Sequence, residues 1–381
     1  MLEREAMAVL VSAQQVSYGQ REAVILCAGS ALEVVRNPQA YALILGDKGA
    51  ASVARCAEHA DVMLEKLDKA GVSLLMRGEA GYPARLAQLR RAPHLLYVRG
   101  AGLGDATAVA VVGTRRASAY GLRHTRRIAA ELADAGVCVV SGLALGVDAA
   151  AHEGALGAGG RTVAVLGSGL DRMTPAANRE LMDRILASGG SVATEYPMGM
   201  PPTRYSFLER NRIIAGLSQG VLVTEGARRS GALSTANHAL DEGRDVFALP
   251  GDIDRVSAQL PNMLIAEGAA PISCGADILA YLAMAHVDIG RPAEKKKRAA
   301  KKAKPASAWE EAAKPAEPAR PQESLTGPEK RIADLLLAGD MDFDRLCEKT
   351  GIASEDLGAI LMMMELDGII EALPGLWYRK L

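Results

Sequence analysis

Short apolar runs alternate with helical patterns throughout residues 106–285. Most of these runs are rich in valine, end in glycine and are followed by apolar positions near the 3.6-residue period of a helix. Runs that are apolar at every position predict strands buried on both faces, so the region predicts a parallel sheet with helices on each side. In such sheets ligands bind beyond the carboxyl ends of the strands, where the strand order reverses. The six candidate strands are TAVAVVG (107–113), VCVVSG (137–142), TVAVLG (162–167), SVATEY (191–196), GVLVTEG (220–226) and DVFALPG (245–251).

The rest of the chain has three other patterns. Residues 1–75 show short helical patterns, and the stretch 71–100 has two strand-like runs around a Tyr-Pro turn. Residues 288–322 are rich in Lys, Ala and Pro without apolar periodicity, which predicts a disordered linker. Residues 323–381 read as three helices and a hairpin, the pattern of a winged helix. We therefore expect a helical extension (1–75), a sheet domain (76–287), the linker and a C-terminal module.

Charge is nearly balanced overall but unevenly distributed. The net charge is −1, yet residues 291–304 hold eight bases and one acid, and residues 323–381 hold twelve acids and six bases. Residues 106–285 hold sixteen Arg, no Lys and seventeen acids, so any anion site there must be local. The acidic C-terminal module predicts a protein contact rather than duplex binding, with a module of no specific role as the alternative.

The composition limits which cellular compartment and which bound groups are expected for the protein. No apolar run reaches the roughly 20 residues needed to span a bilayer, so no membrane contact is expected. The five cysteines are scattered, without CxxC spacing or a His/Cys cluster, which favours a reducing cytoplasm and no metal site. No cofactor is expected either, because the glycine turns lack a complete dinucleotide fingerprint.

The turn VVGTRRASAYG (111–121) joins the first candidate strand of the sheet domain to a helix. A dinucleotide fingerprint needs glycine where Arg115 stands, so backbone cannot cradle a phosphate closely there. An arginine at a strand's carboxyl end can instead hold a phosphate through its guanidinium. The alternatives are a structural ion pair and a solvated side chain.

Residues 201–240 have the densest candidate chemistry. Arg204, Arg210 and Arg212 surround Phe207 and Asn211 just before a strand. Arginines beside one aromatic ring are typical of single-stranded nucleic-acid sites, where cations hold phosphates and the ring stacks on a base. The alternative places Phe207 in the hydrophobic core.

Other polar residues follow the remaining strands. Ser230 and Gly231 precede a helix whose backbone N–H groups could take another phosphate. Asp148, His152 and Glu225 lie on separate segments, and no nucleophile–base pair stands out. Helix caps, ion pairs and structural hydrogen bonds are the expected uses of these groups, and no catalytic residue is predicted.

Taken together, these motifs resemble the DNA-processing protein A family (DprA, also called Smf). The resemblance rests on segments in the family's order over about 108–270, namely VVGTRRASAYG, SGLALGVDAAAH, VLGSGLD, RNRIIAGLS and TEGARRSGALSTANHALDEGRDVFALPG. It implies an extended Rossmann-like domain, a helical N-terminal extension like a sterile alpha motif and a C-terminal winged helix. It further implies a cytoplasmic homodimer that binds single-stranded DNA and loads the RecA recombinase onto it in natural transformation.

The resemblance also assigns residues. It implies that Arg115 binds phosphate, that Arg204 holds a position often basic in the family, and that Phe207 stacks on a base. It implies that Arg210 and Asn211 contact DNA. Four glycines are expected to keep the pocket open: Gly142, Gly146, Gly167 and Gly231.

Two other classes of function remain open from the residues. Nucleotide phosphoribohydrolases have a related fold, and Glu225 could serve as their general acid or base. However, this chain has TEGARRSGALST where those enzymes have a double-glycine loop. A pure interaction scaffold is the second alternative.

Overall fold

The chain forms two compact units, Met1–Lys296 and Lys297–Leu381. The computed structural model describes residues 1–285 and 287, and then 328–337, 339–352, 357, 360, 361, 364, 370–373 and 377–380. The predicted linker, 288–322, lies outside the described residues.

One mixed sheet organises the first unit. Its nine strands, counted over the described residues, have the order β1-β2-β6-β5-β4-β3-β7-β8-β9. β3 to β9 are all parallel to one another, whereas β2 is antiparallel to both of its neighbours, β1 and β6. The strands are β1 (Val72–Met76), β2 (Leu95–Gly100), β3 (Ala108–Val112), β4 (Cys138–Ser141), β5 (Thr162–Val165), β6 (Ser191–Thr194), β7 (Gly220–Val223), β8 (Asp245–Ala248) and β9 (Ala270–Pro271). All six candidate strands of the sheet domain are thus confirmed, and so is the pair of runs in 71–100.

Helices cover both faces of this sheet. The helices of the first unit are α1 (Glu3–Ser12), α2 (Tyr18–Ala28), α3 (Ala31–Arg36), α4 (Ala42–Glu58), α5 (Ala60–Lys69), α6 (Ala84–Ala87), α7 (Ala119–Asp134), α8 (Val147–Gly157), α9 (Arg179–Ala187), α10 (Arg204–Gly216), α11 (Gly231–Asp241), α12 (Gln259–Ala266) and α13 (Gly275–Met284). Val109 and Val111 of β3 pack in one core with α7, α8 and α13. Ala110 and Val112 face the other way, into a core with α10, α11 and α12. This alternation explains why β3 is apolar at every position.

The sheet reverses its strand order at β3. β4, β5 and β6 extend from one side of β3, and β7, β8 and β9 extend from the other. The connection after β6 therefore crosses the sheet to reach β7, which leaves a crevice at the carboxyl ends of β3 and β7. Such a switch point is where open α/β sheets bind ligands.

The N-terminal helices α1 to α5 pack against the antiparallel end of the sheet. Leu95 and Tyr97 of β2 are buried among these helices, whereas Leu96 and Val98 join the core on the other face. The expected boundary between the helical extension and the sheet domain, after residue 75, falls within β1. The limits given for the four predicted parts of the chain remain predictions.

The second unit contains the elements of the predicted winged helix. Its elements are α14 (Pro328–Leu336), β10 (Met341–Asp342), α15 (Phe343–Thr350), β11 (Ile370–Leu373) and β12 (Trp377–Lys380). The three strands form an antiparallel sheet with β12 in the centre. Of the predicted third helix, the structure describes only Leu357, Ile360, Leu361 and Met364, all of which are helical. Ile332, Leu346 and Leu361 are buried in its core.

Candidate nucleic-acid interface

A cleft of about 660 Å³ opens at the carboxyl ends of β3 and β7, at the switch point of the sheet. We call it the arginine cleft. Seven of the residues predicted for DNA binding line it: Arg115, Arg204, Phe207, Arg210, Asn211, Ser230 and Gly231. The turn after β3, the N-terminal part of α10 and the start of α11 bring these residues together, although they are up to 116 positions apart in the chain.

The rim of the arginine cleft is cationic. Arg115, Arg116, Arg204 and Arg229 are exposed on it, and none of the four forms an ion pair with another described residue. Asp148 is the one acid among the lining residues, and it is buried. The cleft is therefore locally positive although the charge of residues 106–285 is nearly balanced. The sequence predicted that any anion site in this region would be local.

The turn that carries Arg115 is held from below by Glu225. The carboxylate of Glu225 accepts hydrogen bonds from the Ser118 backbone N–H (2.8 Å), the Ser118 hydroxyl (2.6 Å) and the Ser257 hydroxyl (3.1 Å). Its backbone oxygen accepts from the Thr114 N–H at 2.7 Å. The backbone beneath Arg115 is thus fixed while its guanidinium is free to reach a ligand.

Phe207 lines the cleft and is only partly buried, so the structure does not place it in the hydrophobic core. Its helix, α10, is capped by Thr203, whose hydroxyl accepts from the Ser206 N–H while the Ser206 hydroxyl accepts from the Thr203 N–H. The guanidinium carbons of Arg115 and Arg210 lie 5.1 and 5.9 Å from the ring centroid of Phe207. Both separations are in the range of cation–π interactions.

Arg210 forms the floor of the cleft rather than its rim. It is 5% exposed, and its Nη1 donates to the carbonyl oxygens of Gly142, at 2.9 Å, and Val165. Burial lowers the pKa of Arg210, and the negative charge of Asp148 opposes that shift. Burial likewise raises the pKa of the Asp148 carboxyl, and Arg210 opposes it. The two buried charges therefore stabilise each other's ionised forms.

Three predicted glycines lie beside the cleft-lining residues rather than on the cleft surface. A Cβ on Gly142 would meet the Arg210 guanidinium, and one on Gly167 would lie 3.1 Å from the Phe207 ring. A Cβ on Gly146, whose φ is +76°, would lie 2.7 Å from the Arg115 carbonyl oxygen. Each glycine thus permits a close approach that positions a cleft residue.

The start of α11 closes the opposite side of the cleft. The Asn211 side-chain amide donates to the Gly231 carbonyl oxygen at 3.2 Å, which ties α10 to the first residue of α11. Ser230 precedes that helix and makes no side-chain capping bond. Gly231 is exposed in the cleft.

One arginine of the predicted group lies outside the cleft, and two arginines that were not predicted line it. Arg212 is buried away from the cleft, where it pairs with Glu195 and lies 3.9 Å from Glu209. Arg116 and Arg229 line the cleft instead. The available signal was their place in two Arg-Arg pairs, each following a strand by a few residues.

The polar residues set aside as structural are structural here too. His152 is buried, and its Nδ1 lies 2.7 Å from the Thr162 hydroxyl, which itself donates to the Val139 carbonyl oxygen. Burial, and to a lesser extent Arg210, lowers the pKa of His152 to about 3. Asp148 is not the N-cap of α8, because Gly146 is; its carboxylate accepts from the Ala144 N–H of the preceding loop.

No group of three or more His, Cys, Asp or Glu side chains among the described residues is placed to hold a metal ion. Nor does any helix in those parts of the chain combine the length and apolar character needed to cross a membrane.

The chain matches two models of known protein families. Residues 73–283 match the model for DNA recombination-mediator protein A, and residues 316–375 match that for the DprA winged helix domain. Protein Smf from Synechocystis sp. is 35% identical over 83% of this chain and 82% of its own length. DNA processing protein DprA from Streptococcus pneumoniae is 44% identical over 52% of this chain and 70% of its own.

A solved structure supports the same assignment. The X-ray structure of DprA from Streptococcus pneumoniae superposes with a TM-score of 0.61 at 34% identity, covering 73% of this chain and 98% of that one. The sheet order and the cleft at its switch point are consistent with the family that these matches indicate. The chain therefore belongs to the DNA-processing protein A (DprA/Smf) family of DNA recombination mediators.

Proposed function

We propose that the protein binds single-stranded DNA in the arginine cleft. The observation that carries this proposal is that four exposed guanidiniums without ion pairs line the same cleft as one partly exposed phenylalanine. Phosphates need fixed cations, and an unstacked base needs an aromatic face. A base inside a duplex is already stacked on its neighbours, so Phe207 favours single strands.

The cleft residues divide into three roles. Arg115, Arg116, Arg204 and Arg229 hold phosphates from the rim, together with the backbone N–H groups at Ser230 and Gly231. Phe207 stacks on a base. Arg210 and Asn211, whose hydrogen bonds point inward, hold the floor against which the strand lies.

The wider function follows the resemblance to the family. The bound strand is protected and passed to the RecA recombinase in natural transformation, and the protein acts as a cytoplasmic homodimer. It acts as a binding protein without a cofactor rather than as an enzyme. The hydrogen bonds that Glu225 accepts from Ser118 and Ser257 support a structural role for the residue that the nucleotide-hydrolase alternative needs.

Fluorescence anisotropy with a labelled thymidine oligonucleotide and a duplex of equal length tests the proposal. We expect tight binding of the single strand and weak binding of the duplex. Arg115→Ala weakens binding of all single strands by about tenfold, irrespective of sequence, because a phosphate contact carries no base information.

Phe207→Leu tests the stacking role separately. It keeps an apolar side chain at the site, yet it lowers single-strand affinity by about tenfold, because stacking on an aromatic ring is worth about 1–3 kcal/mol per base. Arg184→Ala, an exposed arginine on α9 outside the cleft, is the matched control and leaves affinity unchanged. Equal affinities of the unsubstituted protein for the single strand and the duplex would refute the proposal.

A further inference from the structure

A second pocket, of about 590 Å³, lies at the same edge of the sheet, at the carboxyl ends of β7 and β8. Its walls include Tyr120 and Arg123 of α7, Glu225 after β7, and Asp252 and Arg255 after β8. None of these five residues lines the arginine cleft. The resemblance discussed above assigned no role to Tyr120, Arg123 or Arg255.

One short segment of chain lines the arginine cleft at one end and the second pocket at the other. Arg116 lines the arginine cleft, and Ala119, three residues later, lines the second pocket. Three residues of chain span at most about 11 Å. The carboxylate of Glu225, through its bonds to Ser118, fixes this segment in place. A flexible ligand leaving the rim at Arg116 therefore has a short path to Tyr120.

The cations of the second pocket are available to a ligand. Arg123 is exposed and forms no ion pair with another described residue. Arg255 has only a loose pairing with Asp252, at 3.8 Å, and both side chains are more than half exposed (55% and 57%). An exposed pair of this kind is worth little, so a phosphate can displace it at small cost.

The remaining walls suit the other parts of a nucleotide. Tyr120 presents a partly buried ring whose hydroxyl donates to the Pro250 carbonyl oxygen at 2.9 Å. Its ring packs at a tilt on His124, with the centroids 4.3 Å apart, which holds it in one orientation. Asp252 supplies an acceptor for an N–H group of a base, such as the ring N–H of thymine. The pocket thus combines phosphate-binding cations, a stacking surface and a polar acceptor.

We propose that the second pocket binds a further nucleotide of the same DNA strand, extending the footprint from the arginine cleft past Ala119 to Tyr120. This inference rests on the proposed binding of single-stranded DNA. It assigns Arg123 and Arg255 to a phosphate and Tyr120 to a base.

A length series of thymidine oligonucleotides tests the inference in the full chain. Affinity of the unsubstituted protein rises in a step once the strand is long enough to reach the second pocket. In the double variant Arg123→Ala/Arg255→Ala that step is lost, while the shortest strands that fill the arginine cleft bind as before. The slope of log affinity against log salt for a long strand falls in magnitude by about 0.7, the value for one phosphate contact.

Photocrosslinking gives an independent readout. A strand carrying 5-iodouracil at successive positions crosslinks to Tyr120 at one position only, beyond those that crosslink to Phe207. Arg184→Ala again serves as the control in the length series. Because Arg123 and Arg255 are exposed, unfolding curves of the double variant match those of the unsubstituted protein.

The outcomes separate this inference from the proposed function. If the double variant keeps the length step, or if no position crosslinks to Tyr120, the second pocket is not part of the footprint, while binding in the arginine cleft stands. If free thymidine monophosphate protects Tyr120 and strand length has no effect, the pocket takes free nucleotides and the inference is overturned. If the unsubstituted protein binds no single strand, both proposals fall.

Discussion

Gly142→Ala tests whether the buried Arg210 builds the arginine cleft. The backbone at Gly142 tolerates alanine, because its φ is not in the left-handed region. The steric effect is severe, however, since the new Cβ would lie 2.6 Å from the Arg210 guanidinium carbon. Carbon atoms pack at about 3.5–4.0 Å, so the guanidinium must move by about 1 Å.

This displacement acts on bonds that the guanidinium cannot replace in the interior. Nη1 of Arg210 donates to the carbonyl oxygens of Gly142 and Val165, and hydrogen bonds from a charged group are worth about 1.5–3 kcal/mol each. Asp148 also loses part of its charge compensation. We expect the free energy of unfolding to fall by about 3 kcal/mol and single-strand affinity to fall with it.

Urea unfolding and anisotropy on the same preparation measure both effects. Gly157→Ala is the matched control, because a Cβ there meets nothing within 4 Å and the position is the last residue of α8. That variant keeps the original affinity and is as stable as the unsubstituted protein or more so. A Gly142→Ala protein with unchanged stability and unchanged affinity would refute the role given to Arg210.

Three other predictions follow from the site and the units. Burial holds the folded-state pKa of His152 at about 3, so between pH 6.5 and about 3 its protonation in the unfolded chain opposes folding. His152→Gln therefore reduces the loss of unfolding free energy between pH 7 and pH 4.5 by about 2 kcal/mol, measured by urea titration at each pH. Equal losses in the variant and the unsubstituted protein would contradict this. Glu225→Ala releases the Ser118 turn and lowers the free energy of unfolding by about 2 kcal/mol, measured by urea unfolding, with an unchanged value as the contrary result. Deleting residues 288–381 leaves single-strand affinity unchanged in anisotropy, whereas a large loss would assign DNA contacts to the linker or the C-terminal module.

The sheet was predictable because its signal is local. β3, β4, β5 and β7 are short valine-rich runs that are buried at every position, so the apolar pattern itself encodes the burial. The strand order is not local in this way. The residues after β6 have no local pattern that predicts that the chain crosses the sheet and places β7 beside β3. The parallel-sheet pattern predicted a ligand site where the strand order reverses, but it did not locate that reversal along the chain.

Most of the residues that line the cleft were predictable, but their roles were not. The two arginines of the RNR segment (210–212) both read as candidate phosphate-binding cations, yet the helix turns Arg210 toward Gly142 and Arg212 toward Glu195. Those partners are 68 and 17 positions away, so burial of either guanidinium depends on tertiary contacts that sequence patterns do not contain. Arg116 and Arg229 were missed for the same reason, because exposure at a shared cleft is set by the fold.

The salt dependence of single-strand binding tests the central claim most directly. Each guanidinium that holds a phosphate contributes about 0.7 to the slope of log affinity against log salt. We therefore predict that Arg115→Ala lowers the magnitude of this slope by about 0.7 for a thymidine oligonucleotide, whereas Arg184→Ala leaves it unchanged. Identical slopes for the unsubstituted protein and Arg115→Ala would show that Arg115 of the arginine cleft does not hold the DNA backbone.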